Sequence, residues 1–190
     1  MANISNTESS FKEVMANCRK LFADKTHDYG TSWRILRLPS ITDQLFIKAN
    51  RIRSIQEKGV QKVADNVLGE FIGIANYSII ALIQLKLMED ERTELPKTEV
   101  IGLYDQEVQN CLALMQAKNH DYGEAWRLMR ISSITDIILM KLLRVKQIES
   151  NEGKSRVSEG VDANYRDMLN YAVFAMILMQ EEKGTTNPPS

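Results

Sequence analysis

The sequence predicts an all-α protein made of two tandem, pseudo-symmetric helical copies packed as an internal dimer. Three observations predict it. Only four prolines and nine glycines occur in 190 residues, and residues of good helix propensity dominate the rest. The stretch KTHDYGTSWRILRLPSITD (25–43) returns as KNHDYGEAWRLMRISSITD (118–136). No segment alternates apolar and polar residues as a half-buried strand would.

The elements follow in order within each copy. A first helix is expected after the capping box Ser10-x-x-Glu13, running to about Ala23, with its counterpart from about Glu99 to Ala117. His-Asp-Tyr-Gly then makes a turn, with Gly30 and Gly123 suited to a left-handed position after a helix end. A short helix is expected around Trp33 to Arg37. The next starts at Ser-Ile-Thr-Asp, with Ser40 or Ser133 as cap and Asp43 or Asp136 three residues on, and runs to about Gln56 or Glu149. A long apolar helix, about 62–88 and 157–182, closes each copy. Copy one spans 1–90 and copy two 91–190, joined by the charged, proline-containing 89–98.

Sliding the chain by 93 residues aligns 11–57 with 104–150, and 18 of these 47 positions are identical. After a one-residue insertion near 152 the offset becomes 94, pairing Asn76 with Asn170 and Tyr77 with Tyr171. Both histidines, both tryptophans and both cysteines of the chain fall at paired positions. A period this long is a subdomain rather than a solenoid unit. Neither half covers both faces of its long apolar helix alone, so the halves are expected to pack on each other.

Composition narrows the function classes. Hydrophobic residues are 44% and charged residues 26%, with a net charge of −1, so no strong nucleic-acid footprint is expected. The most apolar run, 71–85, carries Asn76, Ser78 and Gln84 and is shorter than a membrane span. The N-terminus is polar, without a secretory apolar region. A cytoplasmic protein with no membrane partner and reduced Cys18 and Cys111 is expected; the composition is compatible with a homo-oligomer.

The chemistry-bearing residues are those written twice. Trp33 and Trp126, each followed by Arg34 and Arg37 or Arg127 and Arg130, offer an aromatic plane beside guanidinium groups, which suits a base and a phosphate. The competing reading is that these arginines pair with Asp28, Asp43 and their copies in helix packing. Lys48 and Arg51, repeated as Lys141 and Arg144, add a second cationic pair three residues apart. Lys25, His27, Asp28 and Tyr29, repeated as Lys118, His120, Asp121 and Tyr122, complete the candidate ligand site. Asn76 and Asn170 lie inside apolar helices and need partners, structural or ligand. Acids are uneven: copy two has Glu159, Asp162 and Asp167 along its last helix and copy one Asp65 and Glu70, and Glu159 with Asp162 forms one face-sharing pair, as Mg²⁺ sites use one or two carboxylates with substrate phosphate. No phosphate-binding glycine loop, nucleophile elbow or His–Cys metal spacing is present.

K-x-H-D-Y-G-x-x-W, then K-x-x-R, then N-Y on an apolar helix, resembles the nucleotide modification associated domain 1 family, over nearly all of 11–180. The resemblance implies a role in nucleotide modification, known for that family from genomic context. Family members carry an acidic segment before N-Y. Asp65 and Glu159 match its first acid and Asp167 its third. Gly69 and Ala163 replace the second acid, Gly73 the third in copy one, and Ile47 and Met140 the aspartate before K-x-x-R. A looser likeness is to the all-α MazG-like nucleoside triphosphate pyrophosphohydrolases, which bind Mg²⁺ through helix-borne acids. The expectation is therefore a protein that binds a small-molecule nucleotide or modified nucleotide. If it is an enzyme, the chemistry implied is Mg²⁺-dependent hydrolysis of a phosphoanhydride, with Glu159 and Asp167 as the metal ligands. The alternative is a non-catalytic structural or interaction module whose repeated motif locks the copies together.

Overall fold

The computed structural model describes residues 4–59, 66–151 and 160–186. Among them six long helices and two 3-10 turns are found, and no strand. Copy one contributes α1 (Ile4–Tyr29), a turn at Ser32–Ile35, α2 (Leu38–Lys58) and α3 (Val67–Lys86). Copy two repeats them as α4 (Lys97–Tyr122), a turn at Ala125–Leu128, α5 (Ile131–Ser150) and α6 (Val161–Thr186).

The contacts are reciprocal, as a two-fold arrangement requires. α3 packs on α6, α2 on α5 and α1 on α4, while α1 also meets α6 just as α4 meets α3. Polar pairs across the α2–α5 seam repeat too. Lys146 Nζ lies 2.5 Å from Asp43, and Arg53 lies 3.8 Å from the matching Asp136. Thr42 donates to Glu149 at 2.8 Å, and Gln56, at the position matching Glu149, donates to Thr135 at 3.1 Å. α3 is long and apolar enough by length and composition to cross a membrane, with a mean hydropathy of 1.5. However, 67% of that stretch is buried in the bundle, where Phe71, Ile74, Ile79 and Ile83 are fully enclosed.

Local chemistry shifts several boundaries. The first helices are longer than their patterns suggest: Ser10 and Glu13 lie inside α1 rather than at its start, and His27–Tyr29 form its last turn. α4 likewise runs through His120–Tyr122. Gly30 and Gly123 stop them, both at φ 62°, where a side chain would be strained. Trp33 and Arg37 do not share one helix. The turn holding Trp33 ends at Ile35, and Arg37 is the residue capping α2. Ser40 and Ser133 are not caps either; Arg37 and Arg130 hold those positions. In copy one Pro39 fits the first turn of α2; α5 begins at the matching Ile131 with Ser132 in that place.

Asn76 and Asn170 find structural partners. Asn76 Nδ2 donates to the Cys18 carbonyl at 3.1 Å, and Asn170 Nδ2 to the Cys111 carbonyl at 3.3 Å. Each ties the long helix of its copy to the first. Both cysteines are fully buried and free, and burial pushes each thiol up to about 12, so neither is a ready nucleophile.

Candidate functional site

Each copy folds a cavity between its first helix, its 3-10 turn and its long helix. In copy one Lys25 and Tyr29, four apart on the last turns of α1, share a face. Trp33 comes from the turn, Lys48 from α2, and Gly73, Asn76 and Tyr77 from α3; they line a cavity of about 330 Å³. In copy two Lys118, Tyr122, Trp126, Lys141, Asp167, Asn170 and Tyr171 line its counterpart of about 460 Å³. The repeat therefore builds a cavity in each copy.

The charges differ. In the second cavity Asp167 accepts from Lys118 at 2.5 Å on one oxygen and from Lys141 at 2.7 Å on the other. Burial works to raise the Asp167 carboxyl, but the two ammonium groups outweigh it and hold it below the usual range. In the first cavity Gly73 stands at that position. A Cβ there would lie 2.8 Å from Lys48 Cε and 3.1 Å from its Nζ, so the Lys48 arm lies over the bare glycine. Lys48 Nζ is 3.4 Å from Glu70 Oε2, whose other oxygen pairs with Arg51, and 5.8 Å from the Tyr77 ring. Lys25 has no hydrogen-bond or ion-pair partner among the described residues. The described lining of the first cavity holds two lysines and no acid.

Aromatic groups supply the walls. Trp126 stacks on Phe174 at 4.3 Å with planes 5° apart, and Tyr171 meets Phe174 edge-on at 6.1 Å. Tyr29 and Tyr122 are 70% and 74% exposed at the cavity mouths. The indole N–H of Trp33 and of Trp126 is buried without a partner, as is Asn170 Oδ1. Asn76 Oδ1 differs, accepting from the Tyr104 hydroxyl at 2.8 Å; the repeat puts Phe11, which has no hydroxyl, at the matching position in copy one.

The other predicted residues lie elsewhere. His27 and His120 each sit 3.1 Å from the neighbouring Asp28 or Asp121 on the exposed surface. Arg34 is turned to the interdomain segment, donating to the carbonyls of Arg92 and Asp90 and to Gln84. Arg127 donates to Glu124 at 2.8 Å, Glu181 at 2.5 Å and Thr7 at 2.8 Å, and lies 4.5 Å over Trp126. These contacts bind α1 and α6 to the second turn, where Glu124 holds a left-handed φ of 57°. Arg37 and Arg130 are exposed helix caps. Arg144 lines a shallow depression with Arg53 and Asp136 instead of the cavity.

The family model for nucleotide modification associated domain 1 matches residues 25–85 and 118–179. The chain belongs to this family. Both matched segments begin at the lysine that opens a cavity, Lys25 or Lys118, and each runs through the whole of its cavity lining but a few α1 or α4 residues. No curated protein and no solved structure matches the chain.

Of the two acids expected to hold Mg²⁺, Asp167 is among the described residues. Among the described residues no group of three His, Cys, Asp or Glu side chains comes together. Asp167 has both oxygens on ammonium groups, which a cation would first have to displace. Glu159 lies outside the described residues. Gly73, Asn76 and Tyr77 are cavity residues outside the sequence-derived ligand set; the Asn-Tyr repeat on an apolar helix was the signal for the latter two.

Proposed function

We propose that the protein binds a nucleotide or modified nucleotide, with its phosphate at Lys25 and Lys48 and its base against Trp33 and Tyr29. One observation carries the reading: two lysines converge on an aromatic-walled cavity whose described lining contains no acid. An ammonium group without a counter-charge at the edge of a partly desolvated cavity favours an incoming anion. A flat aromatic group next to it favours a base. The family's association with nucleotide modification supports the same class of ligand. The test is a thermal-shift panel of nucleoside mono-, di- and triphosphates, each with and without Mg²⁺. A ligand at a hundred times its Kd stabilises the fold by about 2.7 kcal/mol, a shift of several degrees for a chain of this size. The shift is expected to vanish in Lys25→Ala/Lys48→Ala; no shift with any nucleotide sinks the proposal.

Arg34 and Arg127 favour a second reading alongside it. Their guanidinium groups are consumed by structural contacts that join turn, linker and terminal helices, so this part of the repeated motif locks the unit together. Under a purely structural role, Lys25→Ala would change neither ligand response nor stability, because Lys25 has no described partner to lose.

A further inference from the structure

The two cavities descend from one design, yet among the described residues a carboxylate lines only the second. Its oxygens lie between Lys118 and Lys141 at 2.5 and 2.7 Å, and the matching lysines of the first copy, Lys25 and Lys48, line a cavity in which Gly73 holds that position and lies under the Lys48 arm. We propose that only the first cavity accepts an anionic ligand, and that Asp167 occupies in the second the place a ligand phosphate takes in the first. This deepens the nucleotide-binding reading and rests on it for the ligand's class.

The remaining charges agree. The acid that pairs with Lys48, Glu70, lies three residues before Gly73 and is shared with Arg51, and Lys25 has no ion-pair partner among the described residues, which leaves the Lys25 and Lys48 pair under-compensated. At the place of Glu70 the second copy has Asn164, and the carboxylate of its described lining, Asp167, is set between the two lysines. An entering phosphate there would meet a buried negative charge at contact distance and would have to break two ion pairs. In the first cavity the described lining offers it Lys25 and Lys48 and no acid, and at Gly73 the flexible Lys48 arm takes the place of a fixed carboxylate.

Each cavity holds one of the chain's two tryptophans, so fluorescence separates them. Trp126→Phe leaves Trp33 to report on the first cavity, and Trp33→Phe leaves Trp126 to report on the second. The probes are inorganic pyrophosphate and deoxyadenosine 5′-monophosphate, with calorimetry for stoichiometry. Saturable change is expected from Trp33, none from Trp126, and one site per chain. Asp167→Asn in the Trp33→Phe background is expected to switch on the Trp126 response, and Asp167→Asn alone to raise the stoichiometry to two. Gly73→Asp is expected to weaken pyrophosphate binding at the first cavity at least about tenfold without lowering the melting temperature, since the new acid meets two lysines. If Asp167→Asn fails to fold, the Gly73→Asp arm still decides. A Trp126 response with Asp167 in place, or unchanged affinity in Gly73→Asp, overturns this inference and leaves nucleotide binding standing. Absence of binding of either probe to either cavity overturns both.

Discussion

The two cavities share Lys, Tyr, Trp, Lys, Asn and Tyr at matching positions and differ in where their acid sits. In copy two Asp167 is inside, 10% exposed and held by two lysines. In copy one the acid is Glu70, a turn earlier, and it pairs outward with Arg51 as well as Lys48. A three-residue move of one carboxylate along a helix turns a self-neutralised cavity into a cationic one. Duplication allows this, because one copy can hold the fold together while the other keeps an open charge.

The comparison predicts unequal costs. Asp167→Ala removes the carboxylate that Lys118 and the 8% exposed Lys141 share, and is expected to destabilise by about 3–5 kcal/mol. Glu70→Ala abandons side chains that are 26–27% exposed and reach water, and is expected to cost less, about 1–2 kcal/mol. Urea unfolding of both variants checks the order; equal losses would mean the two acids are equivalent. Acid adds a second readout. The native Asp167 carboxyl is held below 3.8, so its stabilisation is present above that value and lost as pH falls beneath it. The acid limb of the stability curve is expected to flatten in Asp167→Ala.

A smaller asymmetry lies in the core. Asn76 has both its amide ends satisfied, by the Cys18 carbonyl and by Tyr104, whereas Asn170 Oδ1 has no partner. Tyr104→Phe makes the first copy resemble the second, and is expected to cost about 1–2 kcal/mol. Phe11→Tyr places a hydroxyl at the matching position and is expected to gain up to about 1 kcal/mol, read as a rise in melting temperature. A drop in Phe11→Tyr would show that the second copy has closed around the bare ring.

Most of the architecture was legible because the chain states it twice. Identical residues at a fixed offset gave the two-fold packing, and uninterrupted helical patterns gave the elements. The cavity was half legible. Lys25, Tyr29, Trp33 and Lys48 lie in it with their copies. Arg34 and Arg37 were assigned beside Trp33 on the premise of a continuous α-helix, and the four-residue 3-10 turn breaks that geometry. Arg34 is then carried toward carbonyls of the linker, whose backbone path no side-chain pattern announces. The capping serines failed in both copies alike: α2 and α5 begin at the matching Leu38 and Ile131, with Pro39 in the first turn of one and Ser132 in the other, so the backbone enters each helix before Ser40 or Ser133 can cap it.

The α2–α5 seam offers the mildest test of how far the copies have diverged. Glu149 accepts from Thr42 at 2.8 Å and lies 3.4 Å from the Tyr165 hydroxyl, while the matching pair across the seam is Gln56 and Thr135. Burial raises the Glu149 carboxyl above 4.5; the hydrogen bonds from Thr42 and Tyr165 oppose this without cancelling it. A carboxylate with a raised native pKa favours folding most below its unfolded pKa and loses that contribution as pH rises through the native one. At neutral pH the ionised, half-buried group is thus a small liability. Glu149→Gln, which writes the copy-one residue into copy two, is expected to stabilise the fold at pH 7 by no more than about 1 kcal/mol, a ceiling kept low by the solvent that still reaches the group. The gain is expected to shrink as pH falls through the raised native value and to be gone below about 4.5, where the wild-type carboxyl is protonated and donates much as an amide does. Melting curves of the two proteins at pH 7 and pH 4 read the difference directly; a gain that grows toward acid would mean that Glu149 serves the seam as a carboxylate after all.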